Sequence, residues 1–181
     1  MSFEFHELTE FRGRLEELKD DIPEIMSQLV IGEGVYAVKQ ARSICTEDGV
    51  VNNGTYRMNF HAGNKALMDP GRKIHDGSPV ERDGTNYKID VYNNLDYAKH
   101  LEFGFRSHFV PGYWSGHTFV YQPGFPGGMY VGPYNGFDRG LFTLRRAVRR
   151  TKQTQDARLG RKMARIINAR LNGGSQGNDA E

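Results

Sequence analysis

Seven apolar residues near the amino end, Leu8, Phe11, Leu15, Leu18, Ile22, Ile25 and Leu29, recur at alternating steps of three and four. Only a helix places such positions along one line, so a long amphipathic helical segment opens the chain. Pro23 falls inside the run, and proline is best tolerated in the first turn of a helix. The spacing therefore predicts a first helix near 6–20 and a second near 23–45, with Asp21 or Ile22 at the cap. Gly32 and Gly34 each weaken the second helix by about 1 kcal/mol relative to alanine and mark a bend or a close contact. Another stripe closes the chain. Leu141, Leu144 and Val148 share one side of a helix predicted to begin near Phe137 or Asp138, and Arg145, Arg146, Arg149 and Arg150 spread over the other. Leu159, Met163, Ile166, Ile167 and Leu171 continue it after a polar interval at 151–157.

The middle of the chain is built differently. Turn residues at Glu47–Gly49 and Asn52–Gly54 precede Tyr56–His61, whose period-two alternation predicts a strand. Residues 64–86 are polar and predict a long exposed loop, and Tyr87–Tyr92 alternates again as a second strand. Asp96 is the expected cap of a short helix through Tyr97, Ala98, Leu101 and Phe103, closed by Gly104. Residues 105–136 thread nine aromatic side chains through proline and glycine, with a hairpin expected near 117–122 and 128–132. A stretch this long without regular structure is usually functional or ordered by a partner. Glycine numbers 22 and proline 7, which fits a loop-rich chain. The expectation is one α+β domain over residues 1–171. It comprises an amino-terminal helix or helical hairpin, a small mostly antiparallel sheet, a long aromatic Gly/Pro-rich arm at about 105–136, and a carboxyl-terminal helix across the sheet. Residues 172–181 are expected to be a disordered tail.

Net charge is only +2, but residues 1–25 hold eight acids against three bases, and residues 139–170 hold eleven Lys and Arg against Asp156 alone. Such ends suit head-to-tail packing of copies, contact of the basic end with nucleic acid, or two solvated helix faces. The lone Cys45 excludes an internal disulfide framework. No basic start leads into an apolar core, and no run approaches the roughly 18 apolar residues of a membrane span. The protein is expected to be made and used in a cytoplasm, without membrane partners.

Catalytic chemistry finds little footing. His6, His61, His75, His100, His108 and His117 lack the spacing of a helical metal site, and no Cys or acid cluster completes a ligand set. His75-Asp76 could act as an acid/base dyad of a small hydrolase, and Ser107-His108 is a weaker pair, yet neither has an orienting third group. Gly124–Gly128 lacks the lysine of a phosphate-binding loop. No catalytic, metal or cofactor site is expected.

Three stretches then resemble one family in order and spacing. Val51-Asn52-Asn53-Gly54-Thr55-Tyr56-Arg57 resembles its "V-D-T-G-x-L-R" segment, with Asn53 for the usual acid and Tyr56 for the usual Leu. Tyr97–Gly104 resembles "Y-A-x-x-x-E-F/Y-G". Gly140–Ala147 resembles "G-x-F-(M/L)-L/T" at the start of its last helix. The family is that of the phage neck, tail-completion or minor capsid proteins, typified by a gene-ten product of a lambdoid siphophage. The resemblance covers roughly residues 5–171.

It implies a non-enzymatic virion protein: a hexameric or dodecameric ring in the neck, between the portal-adaptor-stopper stack and the tail terminator or tube, around genomic DNA in transit. Gly54, Arg57, Tyr97, Glu102, Gly104 and Phe142 are the motif positions. Gly54 is expected to take a positive φ, and Glu102 to pair with Arg57. Phe109, Tyr113, Trp114, Phe119, Tyr121, Phe125 and Tyr130 are the candidate interface arm. Arg145, Arg146, Arg149, Arg150, Arg161 and Lys162 are candidate contacts to DNA or a neighbouring subunit. The alternative is a basic nucleic-acid-binding module using that helix, extended by Arg158 and Arg165.

Overall fold

The computed structural model describes residues 6–50, 54–64, 71, 73–134 and 136–171. The expected tail, 172–181, and residues 65–70 and 72 of the expected 64–86 loop lie outside the described residues. One helix, α1 (His6–Glu47), replaces the two predicted, passing through Pro23 without a break. Proline costs that helix one hydrogen bond, but packing on both sides of it holds the turn together. Leu18, Ile22, Ile25 and Met26 line a common apolar seam with Met163, Ile166 and Ile167 of the last helix, α4 (Thr143–Leu171). α4 is likewise continuous across the polar interval. It runs antiparallel along α1, so it packs on that helix rather than across a sheet.

Charged pairs fix the register of this hairpin. Arg170 meets Asp21 at 2.9 Å, Arg150 forks onto Glu47 at 2.8 and 2.7 Å, and Arg146 onto Asp48 at 2.5 and 3.1 Å. Between them Arg158 Nε donates to Glu33 Oε1 at 3.2 Å and Nη2 to Oε2, while the guanidinium lies 3.7 Å from the centre of the Tyr36 ring. That pair is largely shielded, with side-chain exposures of 10% for Glu33 and 14% for Arg158. Glu33 falls four residues after buried Leu29 and four before buried Ala37, on the apolar face of α1.

Among the described residues, four small antiparallel sheets stand in place of one. β1 (Phe60–Gly63) pairs with β4 (Asp90–Asn93), and β2 (Glu81–Asp83), inside the stretch expected to be loop, pairs with β3 (Asn86–Lys88), so the strand expected at 87–92 is divided at Ile89 between β3 and β4. The predicted strand at 56–61 is mostly a helical turn, α2 (Thr55–Met58), entered through Gly54 at φ 75°. The alternation misleads there because Tyr56 and Phe60 are both buried, four residues apart, with rings in edge contact at 5.0 Å. The core gathers Val38, Ala41, Ile44 and Cys45 of α1, Tyr56, Phe60, Ala62, and Ala147 of α4. Gly34 permits the close approach of α1 to β1: a Cβ there would stand 3.1 Å from Ala62 Cβ and from Ile89 Cγ2.

Asp76 locks the following segment to β1. Its carboxylate accepts from Ser78 N at 2.8 Å, Ser78 Oγ at 2.5 Å, Tyr92 OH at 2.9 Å and Asn64 N at 2.8 Å. Burial raises its pKa, the four hydrogen bonds outweigh that, and the net direction is downward.

The short helix α3 (Ala98–Phe103) is entered at Tyr97 without the side-chain cap expected from Asp96. Buried Glu102 does not pair with Arg57, whose Nη1 donates to Thr46 Oγ1 at 3.1 Å. Its carboxylate instead accepts the backbone N–H groups of Leu144 at 3.0 Å and Arg145 at 3.1 Å. These are otherwise orphan donors of the first turn of α4. The helix therefore starts at Thr143, not at Phe137. Phe137 belongs to β9 (Phe137–Arg139), paired with β5 (Gly104–Arg106).

Substitutions at these two acids test the anchors. Glu33→Ala strands the Arg158 guanidinium and is expected to destabilise the chain by about 3–5 kcal/mol, whereas Glu33→Leu with Arg158→Met together is expected to be near neutral. Urea midpoints check both. Glu102→Ala is expected to cost about 2 kcal/mol through the two lost charge-assisted bonds, read the same way. Acid titration gives a third test. The Arg150 fork, with Ser43, draws the exposed Glu47 carboxyl down to about 2, and Asp76 shifts in the same direction. Folded values below the unfolded ones give a contribution that is full above the ordinary carboxylate range and lost as pH falls through the folded values. Helicity by circular dichroism should hold to about pH 4 and decline from there to about pH 2, less steeply in Glu47→Gln.

Candidate assembly surface

The arm leaves the body at Gly104 and returns at Gly140. Gly104 sits at φ 80°, and a Cβ there would meet the Asp138 carbonyl oxygen at 2.1 Å, so the outgoing and returning chains touch. Beyond β5 runs β6 (His108–Ser115), flanked by β7 (Thr118–Tyr121) and β8 (Gly128–Val131). The expected hairpin between 117–122 and 128–132 is thus split: both strands form, but each pairs with β6 and not with the other. β8 takes the His108–Pro111 half of β6 and β7 the Gly112–Ser115 half, a staggered sheet.

Its register sorts the aromatic rings. Phe109 lies opposite Tyr130, with ring centres 5.4 Å apart, and Trp114 opposite Phe119, also at 5.4 Å. Side chains alternate along a strand, so Phe109 and Tyr113 share one face while Trp114 takes the other with Phe119 and Tyr121. Phe125 packs on Tyr113 at 5.5 Å. Both faces meet solvent: Trp114 is 59% exposed, Tyr121 62% and Tyr130 77%. No Asp or Glu occurs from Phe103 to Phe137.

An apolar groove of about 480 Å³ opens where the arm joins the body. Tyr97, Leu101, Phe105 and Val131 line it, with His100, Arg106 and His108 beside them. The motif positions converge nearby. Glu102 caps α4, and Phe142, at φ 51°, makes the turn into that helix, with its N–H donating to the Glu102 carbonyl at 3.1 Å. Gly54 and Arg57 instead lie at the end of α1.

The basic helix is divided between two uses. Arg150, Arg158 and Arg170 are held by acids of α1, and Arg146 by Asp48 just beyond its end. Arg149, Arg161 and Lys162 are exposed, and exposed Arg145 stands 6.0 Å from the centre of the Phe142 ring. Arg165 is also exposed.

The remaining reactive groups are fixed structurally. Burial, with Asp48 adding to it, pushes the Cys45 thiol up to about 11, which keeps it protonated near neutrality. His75 flanks the Asp76 anchor, and its segment is tied to β1 through a bridge to Ala62. Residues 75–76 were expected in a long exposed loop, but Asp76 is buried and bound at both carboxylate oxygens. The Asp76 anchor was not legible because two of its four hydrogen bonds come from Asn64 and Tyr92, distant in sequence. The Glu33–Arg158 pair did have a signal: an acid in the middle of an apolar stripe. Among the described residues no group of three or more His, Cys, Asp and Glu could hold a metal ion. No helix among them is long and apolar enough to cross a membrane.

No curated protein and no solved structure matches the chain. A family model does, over residues 9–104, from the first turns of α1 to the glycine at which the arm departs. Its description is "Bacteriophage HK97-gp10, putative tail-component". The match takes in more than half of the chain, including the Gly54-to-Arg57 and Tyr97-to-Gly104 motifs. The chain belongs to the HK97-gp10-like family and is a non-enzymatic structural component of the tail or head-tail region of a bacteriophage virion.

Proposed function

We propose that this protein forms a ring, hexameric or dodecameric, in the phage neck. There it joins the DNA-filled capsid, through the adaptor and stopper, to the tail terminator or tube, and it surrounds the passing genome. The observation that carries the reading is the arm: a three-stranded sheet with aromatic rings open to solvent on both faces and no acidic residue. Exposed apolar patches of this kind mark interaction surfaces, and tyrosine and tryptophan are the residues that dominate such contacts. A rigid helical hairpin with an arm on it is suited to matching one ring to the next. The outward cations Arg145, Arg149, Arg161 and Lys162 suit a surface turned to DNA or to a neighbouring subunit.

The alternative, a free-standing nucleic-acid-binding module, draws less support, because four arginines of α4 are already held by acids within α1 or just beyond its end. Silencing this gene alone in the host is expected to leave DNA-filled heads beside finished, unattached tails under the electron microscope. Normally joined virions would end the neck reading. In that case steeply salt-dependent binding of generic duplex DNA by the purified chain would establish the module instead.

A further inference from the structure

Three cations of α4 stand apart from the arginines that hold the hairpin together. Arg145, Arg149 and Lys152 are exposed and enter no ion pair among the described residues. Their spacing of four and three residues sets them on one line of the helix, turned away from buried Ala147 and Thr151. Exposed Lys99 of α3 extends the patch, since it lines a shallow groove together with Arg145. The acid in that groove, Glu102, is buried and bound to the first N–H groups of α4. Asp156, the one acid between residues 139 and 170, ends the line four residues after Lys152.

A line of free cations fits either an acidic protein surface or a nucleic acid, and the rest of the face decides between them. Protein contacts centre on desolvated aromatic or aliphatic anchors. Of the large apolar side chains exposed among the described residues, α4 carries only Val148, at 39%. Anchors of that kind are gathered instead on the arm, at Trp114, Tyr121 and Tyr130. Contacts to a phosphate backbone need aligned positive charge, no apolar pocket and no particular sequence. A duplex in transit offers every sequence in turn to the same wall, and contacts blind to sequence let it slide.

We propose that the outer face of α4 lines the genome channel, with Arg145, Arg149 and Lys152, joined by Lys99, against the DNA phosphates. This placement rests on the ring reading above and orients each copy within that ring. α4 is turned toward the lumen, α1 lies behind it, and the arm is left to meet other proteins.

Photocrosslinking in DNA-filled, tailed particles tests the placement. Gln153 is exposed, uncharged and next to Lys152, so a genetically encoded benzophenone amino acid at position 153 probes this face with every cation kept. The same amino acid at position 39, an exposed lysine of α1, is the comparison. Irradiation is expected to join DNA to the chain from position 153 and not from position 39. Changing Arg145, Arg149 and Lys152 together to glutamine is expected to cut the yield from position 153 severalfold, with helicity unchanged because none of the three is paired. An equal yield from position 39, or an undiminished yield in the triple variant, would overturn the placement. Particles that contain the chain but give no DNA crosslink from position 153 would overturn it and leave the ring standing. A crosslink from there to another virion protein in place of DNA would also overturn it and assign this face to that partner. Absence of the chain from purified particles would overturn both the placement and the neck reading.

Discussion

A carboxylate set in the apolar face of one helix, and the guanidinium that answers it from another, determine how α1 and α4 meet. Glu33 and Arg158 are shielded enough that leaving either unpaired is expensive, so sliding the hairpin by a turn is strongly disfavoured. Once this register is fixed, Asp21, Glu47 and Asp48 fall opposite Arg170, Arg150 and Arg146 in antiparallel order. Ala147 then reaches the core around Val38, Ala41 and Ile44, and the start of α4 comes within reach of Glu102. The position of the arm base follows from that last contact.

The uneven charge of the sequence takes on a different meaning in the fold. Acids near one end and bases near the other could each have faced outward, toward other molecules. The hairpin commits four of the α4 arginines to acids along the seam, yet of the eight acids in the first 25 residues only Asp21 is among those partners. What stays outward on α4 is the set Arg145, Arg149, Lys152, Arg161, Lys162 and Arg165.

Elements with a strong period were legible in the sequence. Both long helices, the extended backbone near 87–92 (though not its division at Ile89 between β3 and β4), the short helix before Gly104 and the positive φ at Gly54 can all be read from spacing and turn chemistry. Boundaries set by distant contacts could not. The single span of α1 through Pro23 depends on Ile166 and Ile167, more than a hundred residues away. The start of α4 depends on a carboxylate forty-two residues earlier. Tyr56–His61 alternates like a strand, yet burial of Tyr56 and Phe60 on one side is met equally well by a helical turn. In the arm, composition announced an interface, while the insertion of β6 between β7 and β8 needs strand pairing that turn residues alone do not specify. For the basic helix, sequence could list its cations but not separate those committed to α1 from those left free.

The arm begins and ends at one place. Gly104 and Gly140 lie side by side, with a Cβ on Gly140 reaching within 2.6 Å of the Gly104 nitrogen, and Leu101 and Glu102 tether the return through their carbonyls. For the body of the protein, residues 105–139 are a closed detour, entered and left through the same doorway. Lengthening, shortening or rewriting that detour need not move either long helix. Such a plan separates two pressures on the gene: the hairpin can be held constant for stability while the arm diverges with whatever neighbours each phage presents to it.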